Sequence, residues 1–466
     1  MSQADITKLN SIQDAGSSVA QDQADIAAMA EFVNLESTPV ATITNGGTYS
    51  APVGYYLIRD KAGSVPANEQ YTLYLMSVVN DNITITPKTS TTTSEKKVDD
   101  VNDSDGSSQN LQDSADYDIG DYVPFHLTAH MAGNVNAYKK YHLTFTDTLE
   151  SGRFDAISEP VIKVDGTKIG EINSDAYTVT ADYKTAATKD GFVVTVTFLP
   201  KSPATLLPES LNSKDVTIDF SAQLGTGAII GNPGNVNTFQ LNYSNNPNST
   251  DDHEEGTTPE DTVIVFTYEL DVNKTDAANQ PLNGATFALY KKYNTVPSGK
   301  TAAASPISYG GNKSYTIPEG TNYVLVGTIA GTDKSLFEFK GIDDGEYLLV
   351  ETVAPTGYNA IEPQTFTVTA EHTAKADINK STKMDAQDAY VLKSVSGAKT
   401  GDSTINLSAL IKENKITGVN TTIINNSGAT LPSTGGMGTT IFYIIGVVLL
   451  AGAAIILVTK RRMNAE

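Results

Sequence analysis

From Thr42 onward, apolar and polar residues alternate in short segments that are separated by Gly, Asn, Asp and Pro. Tyr122–His130, Val216–Ala222 and Tyr268–Lys274 are typical of these segments. A period of two places apolar side chains on one face of a β-strand, and turn residues end each strand. The pattern therefore predicts an all-β chain made of tandem β-sandwich domains.

The first block of the chain differs from the rest. A length of 466 residues is typical of about three domains, and we assign residues 1–87 to the first. Within it, the apolar residues Ile26, Met29, Ala30 and Val33 have helical spacing. This block is therefore expected to contain a small helical part.

Two polar stretches enclose a second block over residues 88–262. One is the Thr/Ser-rich stretch Lys88–Glu95, read as a linker or domain edge, and the other is the acidic stretch Asn246–Asp261. A third β-patterned block covers residues 263–430, with one short helix expected around Leu407–Lys412.

The chain contains no cysteine, and its 32 Lys and Arg stand against 54 Asp and Glu. The lack of cysteine excludes disulfides, thiolate metal sites and thiol nucleophiles. The formal net charge of -22 argues against nucleic-acid binding, because phosphate binding relies on clustered cations. Outside the cell, covalent stabilisation would have to come from a bond other than a disulfide.

An uncharged apolar segment, Thr439–Thr459, lies near the C-terminus and is followed at once by Lys460, Arg461 and Arg462. About 20 apolar residues are long enough to cross a bilayer as one transmembrane helix. The basic cluster predicts a cytoplasmic tail, with everything upstream outside. A buried core helix is the weaker alternative, because the segment has no polar face.

The pentapeptide Leu431-Pro432-Ser433-Thr434-Gly435 stands just before this span. Residues 431–466 thus resemble the LPxTG cell-wall sorting signal of Gram-positive surface proteins. The resemblance implies that a sortase cuts between Thr434 and Gly435 and joins the Thr434 carboxyl to an amine. It also implies a cell-surface protein covalently attached to the cell wall, after a transient stage as a membrane-anchored precursor.

The N-terminus lacks the features of a secretion signal. Before Arg59 the only cation is Lys8, and the longest apolar run is Ile26–Ala30. A signal peptide needs a basic region and a longer apolar region. We therefore expect either a truncated sequence or a misplaced start.

Lys274 occupies an unusual position for a lysine. Counting by two from Tyr268 places it on the same face as Leu270 and Val272, and counting from Tyr347 places Glu351 inward as well. Burial of either group is costly unless the charge is paired or neutralised. The pattern indicates either a functional pair or a plain buried Lys–Glu ion pair.

The third block resembles the CnaB-type domain of pilins and adhesins, whose hallmark is an intramolecular isopeptide bond. The strings that carry the resemblance are Glu269–Asp276, Pro281–Tyr290 and Tyr347–Tyr358, the last of which contains ETVAPTGY.

The CnaB resemblance implies a role for each residue. Lys274 would be the nucleophile, Glu351 the catalytic carboxyl and Asn425 the acceptor, with Asn426 as the alternative acceptor. The physics agrees, because an apolar core favours a neutral amine and a protonated carboxyl.

The second block resembles the isopeptide-forming D2 domain of backbone pilins, which is CnaA-like. The strings concerned are Lys96–Asp103, Tyr117–Pro124, Phe145–Leu149 and Tyr243–Pro247. Strand parity selects Lys96 and Asn245 as the inward bond partners, and Asp147 would be the catalytic carboxyl. Lys97, Asn242 and Asn246 could each replace one of the two bond partners. With both resemblances, the expected fold becomes a series of Ig-like, Cna-type sandwiches.

Lys88 lies in the sequence Thr86-Pro87-Lys88, between the first and second blocks. Backbone pilins carry a lysine here, usually after Tyr-Pro, whose amine attacks the sortase-bound Thr of the next subunit. Lys88 is accordingly the expected pilin lysine, although the aromatic residue is replaced by Thr86. A solvated linker lysine is the alternative.

Other candidate sites are weaker, and we predict no metal site and no cofactor. The four aspartates Asp99, Asp100, Asp103 and Asp105 lack the spacing of a calcium loop and are read as a solvated turn, with calcium binding as the weaker alternative. The histidines form no paired-ligand motif.

As a whole, the chain resembles a sortase-assembled backbone, or major, pilin. The resemblance implies a structural subunit of a covalently polymerised pilus, or fimbria, in which Thr434 of one subunit joins Lys88 of the next. The expected partners are sortase, other pilin subunits, peptidoglycan and, before processing, the membrane. The isopeptide chemistry occurs once per molecule, so we expect no enzyme. The alternative is a wall-anchored adhesin that uses the same domains as a stalk and binds a host surface ligand.

Overall fold

The computed structural model describes residues 38–78 with gaps at 45, 62, 67–68 and 72, residues 91–247 with a gap at 203–204, residues 255–374 and residues 390–428. It also describes residues 444–452, 455 and 460, which are helical. The predicted helical part around Ile26–Val33, the pilin lysine Lys88 and the sorting motif Leu431–Gly435 lie outside these residues.

The described part of the first block contains β1 (Gly54–Arg59) and β2 (Leu73–Val78), which pair antiparallel. This block contacts the second block directly. The Tyr71 N–H donates to the Asn245 carbonyl at 2.9 Å, and the Gln70 side chain donates to the Tyr138 hydroxyl at 3.2 Å.

The second block forms what we call the middle sandwich. Its strands are β3 (Thr93–Val101), β4 (Ser108–Gln112), β5 (Ser114–Asp116), β6 (Tyr122–His130), β7 (Tyr141–Leu149), β8 (Phe154–Ile157), β9 (Val161–Val164), β10 (Thr167–Lys168), β11 (Tyr177–Thr188), β12 (Gly191–Pro200), β13 (Asp215–Leu224), β14 (Asn235–Ser244), β15 (Glu255–Thr257) and β16 (Asp261–Phe266). Short 3₁₀ helices cover Val135–Ala137, Ile169–Glu171 and Glu209–Leu211.

The middle sandwich has two seven-stranded sheets. One has the order β10-β9-β13-β6-β3-β4 with β8 on β13, and the other has the order β11-β12-β7-β14-β16-β5 with β15 on β14. Inward side chains of both sheets, such as Phe125, Phe145 and Phe239, form one hydrophobic core. Along β13, buried and partly exposed residues alternate throughout, as the period-two pattern predicts.

The third block forms what we call the C-terminal sandwich. Its strands are β17 (Tyr268–Asp276), β18 (Thr286–Tyr293), β19 (Ile307–Tyr309), β20 (Lys313–Tyr315), β21 (Asn322–Ala330), β22 (Leu336–Ile342), β23 (Gly345–Val353), β24 (Gln364–Ala374), β25 (Tyr390–Lys399), β26 (Leu407–Lys412) and β27 (Lys415–Asn425). A four-stranded sheet, β22-β17-β27-β26, faces a five-stranded sheet, β21-β18-β23-β24-β25. The all-β, multi-sandwich fold predicted from the sequence is confirmed.

One local prediction was wrong. Leu407–Lys412 is the strand β26, not a helix, and it pairs antiparallel with β27. Its apolar residues fit either period, and pairing with a neighbouring strand decides such short runs. The stretch Lys88–Glu95, read as a linker or domain edge, contains the start of β3 at Thr93, which agrees with a domain edge.

The two sandwiches meet without a flexible linker. Strand β16 belongs to the middle sandwich, and the fully buried Thr267 alone separates it from β17. The Ile119 N–H donates to the Gly341 carbonyl at 3.0 Å across this boundary. Gly341 has φ +81°, and a Cβ there would lie 2.6 Å from Ile119 Cδ1, so this close approach requires glycine. On this pairing, we propose that the division between the sandwiches lies at Thr267 rather than at 262.

Residues 444–452 form a short C-terminal helix. Among the residues that the structure describes, no helix has the length and apolar character needed to span a membrane. Much of the apolar segment Thr439–Thr459 falls outside those residues.

Candidate functional site

The C-terminal sandwich brings together Lys274, Glu351 and Asn425. Lys274 lies on β17 and Asn425 ends β27, and these strands are parallel neighbours in which Asp276 is opposite Asn425. Glu351 reaches the same place from β23 in the facing sheet. Lys274 and Asn425 are each 1% exposed and Glu351 is 0% exposed, so all three polar groups lie in the core.

Hydrogen bonds orient this group for a reaction between the lysine and the asparagine. Asn425 Nδ2 donates to Glu351 Oε1 at 2.8 Å, and the Ile361 N–H donates to Glu351 Oε2 at 2.9 Å. Lys274 Nζ donates to the Thr275 and Ile423 carbonyls at 2.9 and 3.2 Å. Asn425 Oδ1 accepts no hydrogen bond within the described residues. The carboxyl therefore contacts the amide nitrogen that a reaction would release.

Burial shifts both titrating groups toward their neutral forms. It lowers the pKa of Lys274 to about 8, against the opposing effects of Glu351 and Asp276. Burial also raises the pKa of Glu351, against the hydrogen bonds from Ile361 and Asn425. A neutral amine and a protonated carboxyl are the forms that aminolysis of an amide needs.

Strand parity separates the two candidate acceptors. Asn425 is buried, whereas Asn426 is exposed and its carbonyl accepts a hydrogen bond from the Asn359 N–H at 3.2 Å. The arrangement therefore favours Asn425, the residue selected from the sequence.

The middle sandwich contains a second buried lysine, Lys96, on β3. Its side chain is 0% exposed and Nζ donates to Asp147 Oδ2 on β7, in the facing sheet. The rings of Phe125 and Phe220 lie with their centroids 5.2 and 5.5 Å from Nζ. Burial lowers the pKa of Lys96 and raises that of Asp147, in each case against the partner's opposing charge.

Asn237 is the asparagine that lies beside this pair. It sits on β14, in the strand next to β7, with its neighbour Phe239 directly opposite Asp147. Its side chain is 0% exposed, and both polar atoms of the carboxamide lack a hydrogen bond of good geometry within the described residues. Asn237 lowers the pKa of Asp147, but the larger effect of burial raises it overall.

The prediction of Asn245 as the partner of Lys96 does not agree with this geometry. Asn245 follows the end of β14, and at about 3.3 Å per residue it lies roughly 20 Å along the strand from the position opposite Asp147. It is buried instead at the contact with the first block, where its Nδ2 donates to the Glu69 carbonyl at 3.4 Å. Asn237 and Asn245 point to the same face, so parity alone could not separate them.

Lys97 and Asn242 are both engaged at the surface of the middle sandwich. Lys97 Nζ donates to Asp113 Oδ1 at 2.6 Å, and Asn242 Nδ2 donates to Glu255 Oε2 at 3.1 Å. Both residues are partly exposed. Lys96, rather than Lys97, is therefore the core lysine.

The aspartates read as a solvated turn form part of the boundary between the sandwiches. Asp103 and Asp118 each accept a hydrogen bond at 2.9 Å from Lys291 of the C-terminal sandwich, which also donates to Asp343. Burial alone would lower the pKa of Lys291, but Asp118 and Asp343 outweigh it and raise this pKa. Burial followed by repulsion from Asp116 raises the pKa of Asp344 to about 8. The solvated-turn interpretation was therefore wrong for Asp103, which a lysine far along the chain contacts, whereas Asp105 is exposed as that interpretation predicts.

Family models match two parts of the chain. Residues 268–382 match the prealbumin-like fold domain SpaA, and residues 423–465 match the LPXTG cell wall anchor motif.

Curated relatives are similar over part of their length. The trypsin-resistant surface T6 protein of Streptococcus pyogenes serotype M6 is 27% identical over 298 residues, which is 54% of this chain and 50% of that protein. Fimbrial subunit type 1 of Actinomyces viscosus is 27% identical over 279 residues, covering 56% of this chain and 44% of that protein. The chain thus spans about half the length of the curated relatives it matches.

A solved structure shares the fold. The three-domain T6 backbone pilin of serotype M6 Streptococcus pyogenes superposes with a TM-score of 0.50 at 17% identity, covering 87% of this chain and 89% of the pilin.

Proposed function

We propose that this chain, which carries a SpaA prealbumin-like domain and the LPXTG anchor of Gram-positive cell-wall surface proteins, is a structural subunit of a covalently polymerised pilus. The observation that carries the proposal is the buried group of Lys274, Glu351 and Asn425, in which the carboxyl already holds the carboxamide. Such a group costs stability as a set of free polar side chains and stabilises the fold once the amine and carboxamide are joined.

In the C-terminal sandwich, the reaction is an aminolysis. The neutral Lys274 amine attacks Asn425 Cγ, so that the Nζ–Cγ bond forms and the Cγ–Nδ2 bond breaks. Glu351 gives its proton to the leaving nitrogen and takes one from Nζ, and ammonia departs. No oxidant or cofactor is required, and Glu351 ends in the state in which it began.

In the middle sandwich, the same chemistry would join Lys96 to Asn237, with Asp147 moving the proton. The Lys96–Asp147 hydrogen bond gives the path by which the amine loses its proton. Asn237 supplies the carboxamide, which has no competing hydrogen bond of good geometry among the described residues.

These bonds give the subunit a mechanical role. A crosslink between distant points of the chain restricts the unfolded ensemble as a disulfide does. Unlike a disulfide, an amide cannot be reduced. A chain without cysteine thereby gains crosslinks that suit a fibre under load outside the cell.

Polymerisation would use the two ends of the subunit. Sortase would cleave after Thr434 and transfer its carboxyl to the Lys88 amine of the next subunit, and the last subunit would be joined to peptidoglycan. The substitution Lys88→Ala, in cells that express the matching sortase, is expected to abolish covalent ladders on denaturing gels. Ladders that persist would assign the linkage to another lysine, and wild-type protein found on the wall only as a monomer would favour the adhesin function.

The intact mass of the purified protein tests the internal chemistry. We expect a mass short by two ammonia molecules, with one restored by Lys274→Ala and the other by Lys96→Ala. Proteolytic mapping is expected to find Lys274 linked to Asn425 and Lys96 linked to Asn237. A mass equal to the sequence value would leave a buried Lys96–Asp147 ion pair and an unreacted Lys274, and would remove the isopeptide chemistry from the proposal.

A further inference from the structure

Three aspartates converge where the middle and C-terminal sandwiches meet. Asp116 ends β5, and Asp343 and Asp344 form the turn between β22 and β23. One carboxylate oxygen from each of the three lies within 4.8 Å of the others. The two sandwiches therefore each contribute ligand-type oxygens to one small space.

Two of these carboxylates are buried with an oxygen that has no hydrogen-bond partner within the described residues. Asp116 is 2% exposed and Asp343 is 0% exposed, and Oδ2 of each accepts no hydrogen bond there. His372 Nε2 approaches Asp116 Oδ2 at 3.6 Å, which is longer than a hydrogen bond. His372 is nevertheless within ion-pair distance of Asp116, so what these two oxygens lack is a hydrogen bond. A buried carboxylate oxygen without a hydrogen bond is costly, and its position needs an explanation.

Hydrogen bonds fix the positions of Asp343 and Asp344. The Asp343 N–H donates to Asp118 Oδ1 at 3.0 Å across the boundary, and the Asn102 side chain donates to Asp344 Oδ1 at 2.8 Å. Lys291 binds Asp343 through Oδ1, on the side away from the unpartnered Oδ2. The lysine thus binds one oxygen of Asp343 and leaves the other without a hydrogen bond among the described residues.

A basic group reaches each acidic cluster among the described residues, and in the present group Lys291 binds Asp343 and His372 lies beside Asp116. Lys412 lies 2.9 to 3.1 Å from the carboxylates of the cluster Glu269, Asp271 and Glu338. Lys291 and Lys300 bind members of the cluster Asp103, Asp118 and Asp121. A third cluster, Asp100 and Asp116 with His372, contains its own imidazole. Asp344, by contrast, forms no ion pair with a basic group in the described part of the chain.

We propose that Asp116, Asp343 and Asp344 bind one divalent cation of the hard, oxygen-preferring type, with Ca²⁺ as the fitting ion, and that it joins the two sandwiches. Carboxylates are the ligands that Ca²⁺ prefers, and its flexible coordination accepts a site completed by water and by carbonyl oxygens. The ion would supply the missing partner of both unpartnered oxygens. It would also fix the angle between two domains that share only Thr267 as a connection along the chain.

Calorimetric titration of Ca²⁺ into the full chain, first stripped with a chelator, tests this site. We expect one strong binding event and a rise in the thermal midpoint when Ca²⁺ is added. The variant Asp344→Asn keeps the size of a partly exposed side chain and should therefore fold. It is expected to lose at least about tenfold in Ca²⁺ affinity.

The matched control is Glu338→Gln, which removes one charge from the cluster that Lys412 already neutralises. Its Ca²⁺ affinity is expected to equal that of the wild type. A chain that shows neither binding heat nor a thermal shift with Ca²⁺ overturns the proposal. Equal losses in Asp344→Asn and Glu338→Gln overturn it too, because binding would then be a matter of net charge alone.

Discussion

The two buried lysines meet their asparagines by different routes through a sandwich. Lys274 and Asn425 lie on parallel neighbours of one sheet, and the carboxyl of Glu351 comes from the facing sheet. Lys96 lies in one sheet, whereas Asp147 and Asn237 lie on neighbouring strands of the other. A bond in the C-terminal sandwich would therefore join its first and last strands side by side, and a bond in the middle sandwich would join its two sheets across the core.

The hydrogen bonds differ in the same way. Glu351 binds the carboxamide and leaves Lys274 to backbone carbonyls, while Asp147 binds the lysine and leaves Asn237 without a bond of good geometry within the described residues. One set of residue types thus serves two strand topologies, because what the chemistry needs is three buried groups in contact. The comparison predicts different consequences when the same substitution is made in each sandwich.

Replacing the buried lysine of either sandwich by alanine is expected to have the largest effect on stability. The loss should be greater in the middle sandwich than in the C-terminal sandwich. Each substitution removes a crosslink that closes a long loop, at a cost of about 4–5 kcal/mol. Lys96→Ala also leaves the buried Asp147 without its partner, at a further cost of about 1–3 kcal/mol, whereas Glu351 keeps its bonds from Asn425 and Ile361. Differential scanning calorimetry of both variants measures the two unfolding transitions. A smaller loss for Lys96→Ala than for Lys274→Ala would contradict the comparison.

The choice of acceptor in the middle sandwich is tested by two asparagines on the same face of one strand. Asn237→Ala is expected to restore one ammonia to the intact mass and to lower the unfolding temperature of this sandwich. Asn245→Ala is the matched control, and its mass deficit should equal that of the wild type because Asn245 lies at the contact with the first block. The reverse result would return the acceptor to Asn245 and require a different register for β14.

When the Lys274–Asn425 bond cannot form, the unreacted Lys274 and Glu351 should make the stability of the C-terminal sandwich depend on pH. In Asn425→Ala, Lys274 stays an amine whose pKa is lowered from 10.5 to about 8 in the folded state. Between these values the unfolded chain holds a proton that the folded chain lacks, so stability rises as pH rises from about 8 to 10.5. Glu351 has the opposite effect at lower pH. Its raised pKa means that the folded chain keeps a proton that the unfolded chain has lost, so the free energy of unfolding falls as pH rises through the raised pKa.

Urea unfolding at a series of pH values measures this dependence. The double variant Lys274→Met with Asn425→Ala is the control, since it keeps every other lysine but removes the group in question. The difference between the two profiles is expected to grow by a few kcal/mol across the alkaline range. Parallel profiles would mean that Lys274 is not held as a neutral amine.

Sequence reasoning proposed the C-terminal group from two sources: strand parity placed Lys274 and Glu351 inward, and the CnaB resemblance supplied Asn425 with Asn426 as the alternative. Lys274, Glu351 and Asn425 each share a strand face with apolar neighbours, and all three are buried as that pattern predicts. Parity also placed Lys96 in the core, where the structure has it, but it selected Asn245 and did not consider Asn237, which differs from Asn245 by a whole number of strand periods. That choice depends on the register between β14 and β7, a long-range pairing that puts Phe239 opposite Asp147.

Long-range contacts also explain why the boundary between the sandwiches escaped prediction. Asp103 and Lys291 meet across two domains, and no local pattern relates a loop of aspartates to a lysine on a distant strand. Lys291 shares a strand face with Phe287 and Leu289 and is 0% exposed, so strand parity indicates its burial but not which carboxylates it meets. Non-local charge pairing of this kind follows from the packing of whole domains.

Lys97 offers the mildest test, since it differs from Lys96 by one position and by one face of the strand. Lys97 pairs with Asp113 at 2.6 Å near the surface, and ion pairs of this kind contribute about 0–1 kcal/mol. Lys97→Ala should therefore leave the mass deficit unchanged and move the unfolding midpoint very little, while Lys96→Ala changes both. If Lys97→Ala restored an ammonia instead, β3 would have to present its other face to the core, and the pairing of Lys96 with Leu127 on β6 would be incorrect. A slip of one residue inverts every side chain on a strand, so this single pair of neighbouring variants tests the register of the whole sheet.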